Sequence, residues 1–130
     1  MNITEDYVTY ETAKLLKEKG FDEETRGYYP VKGDATGRLM FGSEYPHNHS
    51  QVQISTPTQA LAMKWLREEK RYYIQIMLNS WALGGHIGYY IVIQHLDSDF
   101  EEVSPCEQVF YDTYEEACEA AIIYTLKNLI

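Results

Sequence analysis

A chain of 130 residues, 45% hydrophobic and 24% charged, has the size and balance of one globular domain spanning 1–130, able to fold without disulfides or metals. Its 12 tyrosines, 4 phenylalanines and 2 tryptophans argue against disorder. The net charge of −9 lies in one segment, because Asp97–Glu119 holds nine acids and no Lys or Arg while the remainder has 11 of each sign, which argues against binding a phosphate backbone.

The first predicted element is a helix over about 9–19. Thr9 caps it, Ala13, Leu15 and Leu16 form its apolar stripe, and Lys14, Lys17 and Lys19 face water. Gly20 is placed to stop it in a left-handed conformation, with Phe21 folding back on Leu16. From Asp22 to Ser50 glycines and prolines interrupt the pattern, leaving short extended pieces near Tyr28–Val31 and Leu39–Phe41. Gln51-Val52-Gln53-Ile54 then alternates as a half-buried strand does. A second helix is predicted over about 57–69, with Thr56 as cap, Pro57 in the first turn and Gln59 completing a capping box.

Two similar segments follow, RYYIQIML at Arg71–Leu78 and GYYIVIQH at Gly88–His95. A period of two puts Tyr72, Ile74, Ile76 and Leu78 on one face, with Tyr89, Ile91 and Ile93 sharing a face in the second segment. Tyr73 and Tyr90 then turn to the half-wet side. Joined by Asn79–Ile87, the pair reads as an antiparallel hairpin, about 72–79 with 88–95. The third helix, about 113–129, has Thr113 as cap and Glu116 closing a capping box. Its inward stripe reads Tyr114, Ala117, Cys118, Ala121, Ile122, Thr125 and Leu129, and Val109–Tyr111 adds a short strand before it. The order predicts an α+β fold, an antiparallel sheet with three helices packed mainly on one face.

The polar N-terminus MNITEDY is no secretory signal, and no apolar run reaches membrane-spanning length. Cytoplasmic location with reduced Cys106 and Cys118 is expected, without a membrane partner. Few residues suggest chemistry. His47 and His49 form an H-x-H pair that on a strand could hold a metal, yet no spacing supplies further ligands. Asp97, Asp99 and Glu101 open like a calcium loop, but Glu102 and Gln108 stand where glycine and glutamate belong. Gly84-Gly85-His86 is a turn, and Cys106 has no positioned base. Lys64, Arg67, Lys70 and Arg71 are interleaved with Glu68 and Glu69, which argues against a double-stranded RNA module. No cofactor is expected.

The surface expected to act is aromatic and acidic: Tyr73, Tyr90 and Trp81, with Asp97, Asp99, Glu101 and Glu102 beside them. It suits a protein partner or a second copy of the chain. A metal-dependent or nucleic-acid-processing enzyme using His47 and His49 is the alternative. Three stretches, DYVTYETAKLLKEKGFDE, TPTQALAMKWLREE and YDTYEEACEAAIIYTLKNLI, resemble a group of short proteins of unknown function from gut bacteria and their phages or integrated elements. The resemblance implies a small cytoplasmic accessory protein, often carried by mobile DNA, and assigns no site residue.

Overall fold

The computed structural model describes residues 3–79 and 88–130, so Trp81 and the Gly84-Gly85-His86 turn lie outside the described residues. The fold is α+β, with antiparallel pairing throughout, and its strands are shared between two three-stranded sheets. In chain order these are α1 (Tyr10–Glu18), β1 (Thr25–Pro30), β2 (Met40–Tyr45), a 3-10 turn (His47–His49), β3 (Gln53–Thr56), α2 (Gln59–Glu68), β4 (Tyr72–Asn79), β5 (Gly88–His95), β6 (Glu101–Glu102) and α3 (Tyr114–Tyr124), which continues as a π-helical turn (Thr125–Leu129). Two compact units result, residues 1–62 and 63–130, divided within α2.

In the first unit the Thr9 hydroxyl accepts from the Thr12 amide at 3.3 Å, as expected of the cap. Gly20 takes φ 92°, and the amides of Phe21 and Gly20 donate to the Leu16 and Lys17 carbonyls at 2.9 and 3.1 Å. This is a Schellman stop, and it drives Phe21 into the core. The interrupted stretch organises into β1 and β2, joined through a turn in which Gly33 and Gly37 have φ 85° and 77°. The sheet order is β2-β1-β3. Helix α1 packs beside β3, where the Lys17 ammonium donates to the Ser50 and Gln53 carbonyls at 2.9 and 3.1 Å. Tyr10 meets Tyr29 edge-on, and the Tyr29 hydroxyl donates to the Val8 carbonyl at 2.8 Å.

The start of α2 corrects the sequence reading. Thr56 ends β3, in register with Gly27, and the Pro57 carbonyl accepts from the Val8 amide at 3.1 Å. The chain must leave this pairing before it can coil. The cap is therefore Thr58, whose hydroxyl accepts from the Leu61 amide at 3.1 Å.

In the second unit β4 and β5 pair as the expected antiparallel hairpin, in a register the sequence left open, Tyr72 opposite His95 through Asn79 opposite Gly88. The Tyr72 face turns toward α3: the Tyr72 hydroxyl donates to the Leu129 carbonyl at 2.8 Å, Tyr89 meets Tyr114 edge-on, and Ile93 is fully buried. Burial raises the Tyr114 hydroxyl pKa, with Cys118 and Glu115 beside it adding to the effect. The α3 stripe also needs correction, because Leu126 is buried and Leu129 only half-buried. Leu126 stands four residues after the buried Ile122 and so continues the same face, at the start of the π-helical turn. Thr125 marks the change, donating its hydroxyl to the Ala121 carbonyl at 2.8 Å. The strand predicted at Val109–Tyr111 reduces to a single bridge, Tyr111 with Tyr89.

Between β5 and β6 the chain turns through Asp99 and Phe100 with φ 55° and 60°, and the Glu101 amide donates to the Ser98 carbonyl at 3.0 Å. Two successive positive φ values make a type I′ turn, which favours glycine at its second central position. Phe100 stands there, 62% exposed, with little packing to offset a left-handed backbone. Phe100→Gly is expected to stabilise the chain by about 0.5–1 kcal/mol. A rise of a few degrees in Tm checks this, and an unchanged or lower Tm contradicts it.

Candidate functional site

The two histidines take different neighbours. They sit on the 3-10 turn rather than on a strand. His47 is buried, stacked on Tyr28 with ring centres 4.8 Å apart and met edge-on by Tyr45. Its Nδ1 lies 2.9 Å from the Gln53 amide oxygen, which accepts the hydrogen bond. Nε2 is buried and has no hydrogen-bond partner among the described residues. His49 is exposed and pairs instead with Asp22. Among the described residues no three His, Cys, Asp or Glu side chains are grouped to hold a metal, and none of their helices is long and apolar enough to cross a membrane.

The acidic residues spread along the β5–β6 connection. Asp97 forms an ion pair with Arg71 at 3.2 Å, Asp99 occupies the turn, and Glu101 and Glu102 make up β6. All four are exposed. Tyr73 and Tyr90 share the sheet face away from α3, but they stand in different rungs, opposite Gln94 and Met77. Four residues of strand hold them about 13 Å apart. Tyr73 is 39% exposed, whereas Tyr90 is half-buried with Phe110 packed edge-on against it. Between them the Gln75 side-chain amide donates to the Gln94 side-chain oxygen at 2.8 Å.

Two features escaped the sequence reading. The first is the outer edge of β2. Five of its six residues are exposed, including Met40, Phe41 and Tyr45, and Phe41 is 56% exposed. Phe41 is in register with Gly27 and so lies on the same face as Tyr29 and Ile54, which α1 helps to bury. That cover stops short of β2, leaving Phe41 with the edge of Tyr7 at 5.2 Å between ring centres. Val31 donates to the Val52 carbonyl, and the Pro30 carbonyl accepts from Gly37. Odd positions of β1 thus turn their backbone groups to β3 and even positions to β2. By this alternation Tyr28 and Met40 form the hydrogen-bonded pair, and Phe41 points its N–H and C=O outward, off the free edge.

The second is a cavity of about 620 Å³ in the second unit, under the chain from Ser104 to Tyr111. Its walls include Tyr90, Ile91 and Val92 of β5 with Ala120, Ile123 and Tyr124 of α3. The volume falls within the roughly 300–1,000 Å³ of small-ligand sites. No signal in the sequence marked it, because its shape depends on where an irregular segment leaves a strand. No family model, curated protein or solved structure matches this chain.

Proposed function

We propose that the chain is a non-enzymatic accessory protein of the cytoplasm that acts as a homodimer, paired through the outer edges of two β2 strands. The exposed, outward-turned Phe41 carries this reading. A long apolar edge strand left open is a template for strand addition. Antiparallel pairing of β2 with its own copy about a two-fold at Phe41 stacks the two Phe41 rings side by side. In that register Met40 of each copy faces Gly42 of the other. The charge that would repel two copies is concentrated in Asp97–Glu119, which belongs to the other unit. The resemblance of the three helical stretches to proteins of phages and integrated elements would fit a small accessory role carried by mobile DNA.

Sedimentation equilibrium tests the dimer. The chain should show twice its 15.2 kDa mass at micromolar concentration. Phe41→Asp should return it to monomer. A wild-type monomer at about 100 μM sinks the proposal, since a useful dimer needs micromolar affinity or better. A dimer indifferent to Phe41→Asp places the interface elsewhere and sinks it equally.

A further inference from the structure

The edge of β5 is filled at both ends and empty between them. At one end Tyr89 and Tyr111 exchange two backbone hydrogen bonds, 2.9 and 2.7 Å. At the other the Val103 amide donates to the Ile93 carbonyl at 2.7 Å, and the Ile93 amide donates to the Ser104 hydroxyl at 2.8 Å. Beyond that, Gln94 and His95 pair with β6. Backbone groups alternate in direction along an antiparallel strand, so Ile91 points its N–H and C=O to the same side as Tyr89 and Ile93. The Leu96 amide confirms the alternation, donating to the Arg71 carbonyl on the β4 side at 2.8 Å. Among the described residues no hydrogen bond reaches either edge group of Ile91. The chain that would have supplied the missing rung, Pro105 to Phe110, bows away, and the space it leaves is the cavity that Ile91 lines.

We infer that this cavity binds the backbone of a short extended apolar peptide, one of whose residues supplies the missing rung at Ile91. The vacancy asks for a donor and an acceptor at the spacing of one strand residue, which a residue in extended conformation presents. Neighbours on both sides already hold their rungs, so the site is pre-formed and β5 need not move to receive the ligand. Side chains of the bound peptide would alternate between the Tyr90 and Val92 side of the sheet and the Ile123 and Tyr124 side, apolar or aromatic surfaces with Lys127, Asn128, Glu102 and Glu107 also in the lining. Strand addition gives affinity from main-chain bonds and selectivity from such flanking walls. This site lies in the second unit and does not depend on dimerisation through β2 in the first.

The test uses acetyl-Val-Leu-Val-amide and the same peptide N-methylated at the leucine, titrated into the isotopically labelled full chain. Hydrogen exchange comes first. In the free protein the Ile91 amide should exchange much faster than those of Tyr89 and Ile93, and the peptide should slow it. The unmodified peptide should shift the Ile91 amide resonance more than those of β4. N-methylation should weaken binding by about tenfold or more, because it removes the donor of the rung. An Ile91 amide as protected as its neighbours in the free protein overturns the inference, as does no shift at 10 mM peptide. Equal binding of the N-methylated peptide also overturns it, since the cavity would then select apolar bulk alone.

Discussion

Gly27→Ala is expected to destabilise the chain by about 2–3 kcal/mol, a large effect for a single methyl group. A Cβ built on Gly27 would lie 2.8 Å from the Thr56 carbonyl oxygen, 3.3 Å from Tyr7 Cε1 and 3.4 Å from Leu39 Cδ1. The nearest obstacle is backbone, so no rotamer change clears it. Thr56 is fixed by its pairing with Gly27, and the next residue, Pro57, accepts the Val8 amide. Moving Thr56 therefore disturbs both the β1–β3 ladder and the N-terminal segment. The backbone dihedral is not the cause, since Gly27 is not among the glycines with positive φ. Gly42→Ala provides the contrast: its Cβ would meet Tyr28 Cε1 at 3.5 Å, an ordinary contact, and the change should cost less than about 0.5 kcal/mol. Urea unfolding of the two variants separates the outcomes. A Gly27→Ala midpoint equal to that of Gly42→Ala would show that β3 yields freely, against the register described here.

Gly27 also shows where sequence reasoning reaches and where it stops. Elements whose signals are local were legible. Thr9, Gly20 and Phe21 define the start and stop of α1 within a dozen residues, and the structure uses each as expected. The hairpin was legible because two neighbouring segments share a period of two, but its register, which sets Ile74 and Ile76 level with Ile93 and Ile91, was not. Features that depend on distant chain were not. Thr56 carries every local mark of a helix cap, yet pairing with Gly27, almost thirty residues earlier, claims its backbone first. Leu126 continues the face of Ile122 four residues earlier, so its burial has a local signal, whereas the π-helical turn that begins at Thr125 has none.

The candidate sites divide in the same way. Tyr73 and Tyr90 share a face because strand alternation requires it, but the packing of Phe110 on Tyr90 comes from a segment without regular structure. The H-x-H spacing of His47 and His49 suggested a shared direction, which a strand would have given. The 3-10 turn separates the rings, one into an aromatic box with Gln53 and the other toward Asp22. The open rung at Ile91 and the free edge at Phe41 are properties of what a neighbouring strand fails to do. An alternating pattern shows that a strand has two faces and leaves open which of its edges will be covered.

Ile93→Ala should cost about 3–4 kcal/mol, the largest loss expected from truncating any single side chain of the β4–β5 hairpin. Ile93 is fully buried, on the face that turns toward α3, whereas Ile74, Ile76 and Ile91 are each only half-buried. Its removal forfeits the transfer free energy of three carbons and leaves a void that neighbours fixed on a sheet and a helix cannot collapse to fill. The backbone bonds of Ile93 to Val103 and Ser104 survive the change, so the loss is one of packing. Ile91→Ala, at the cavity wall, should cost about half as much, because its side chain already borders open space. Tyr73→Ala, on the open face, should stay within about 1 kcal/mol. Denaturant midpoints at constant m would establish this order. A Tyr73→Ala loss equal to that of Ile93→Ala would mean that the face away from α3 is covered after all, and that the two sides of this sheet have been assigned the wrong way round.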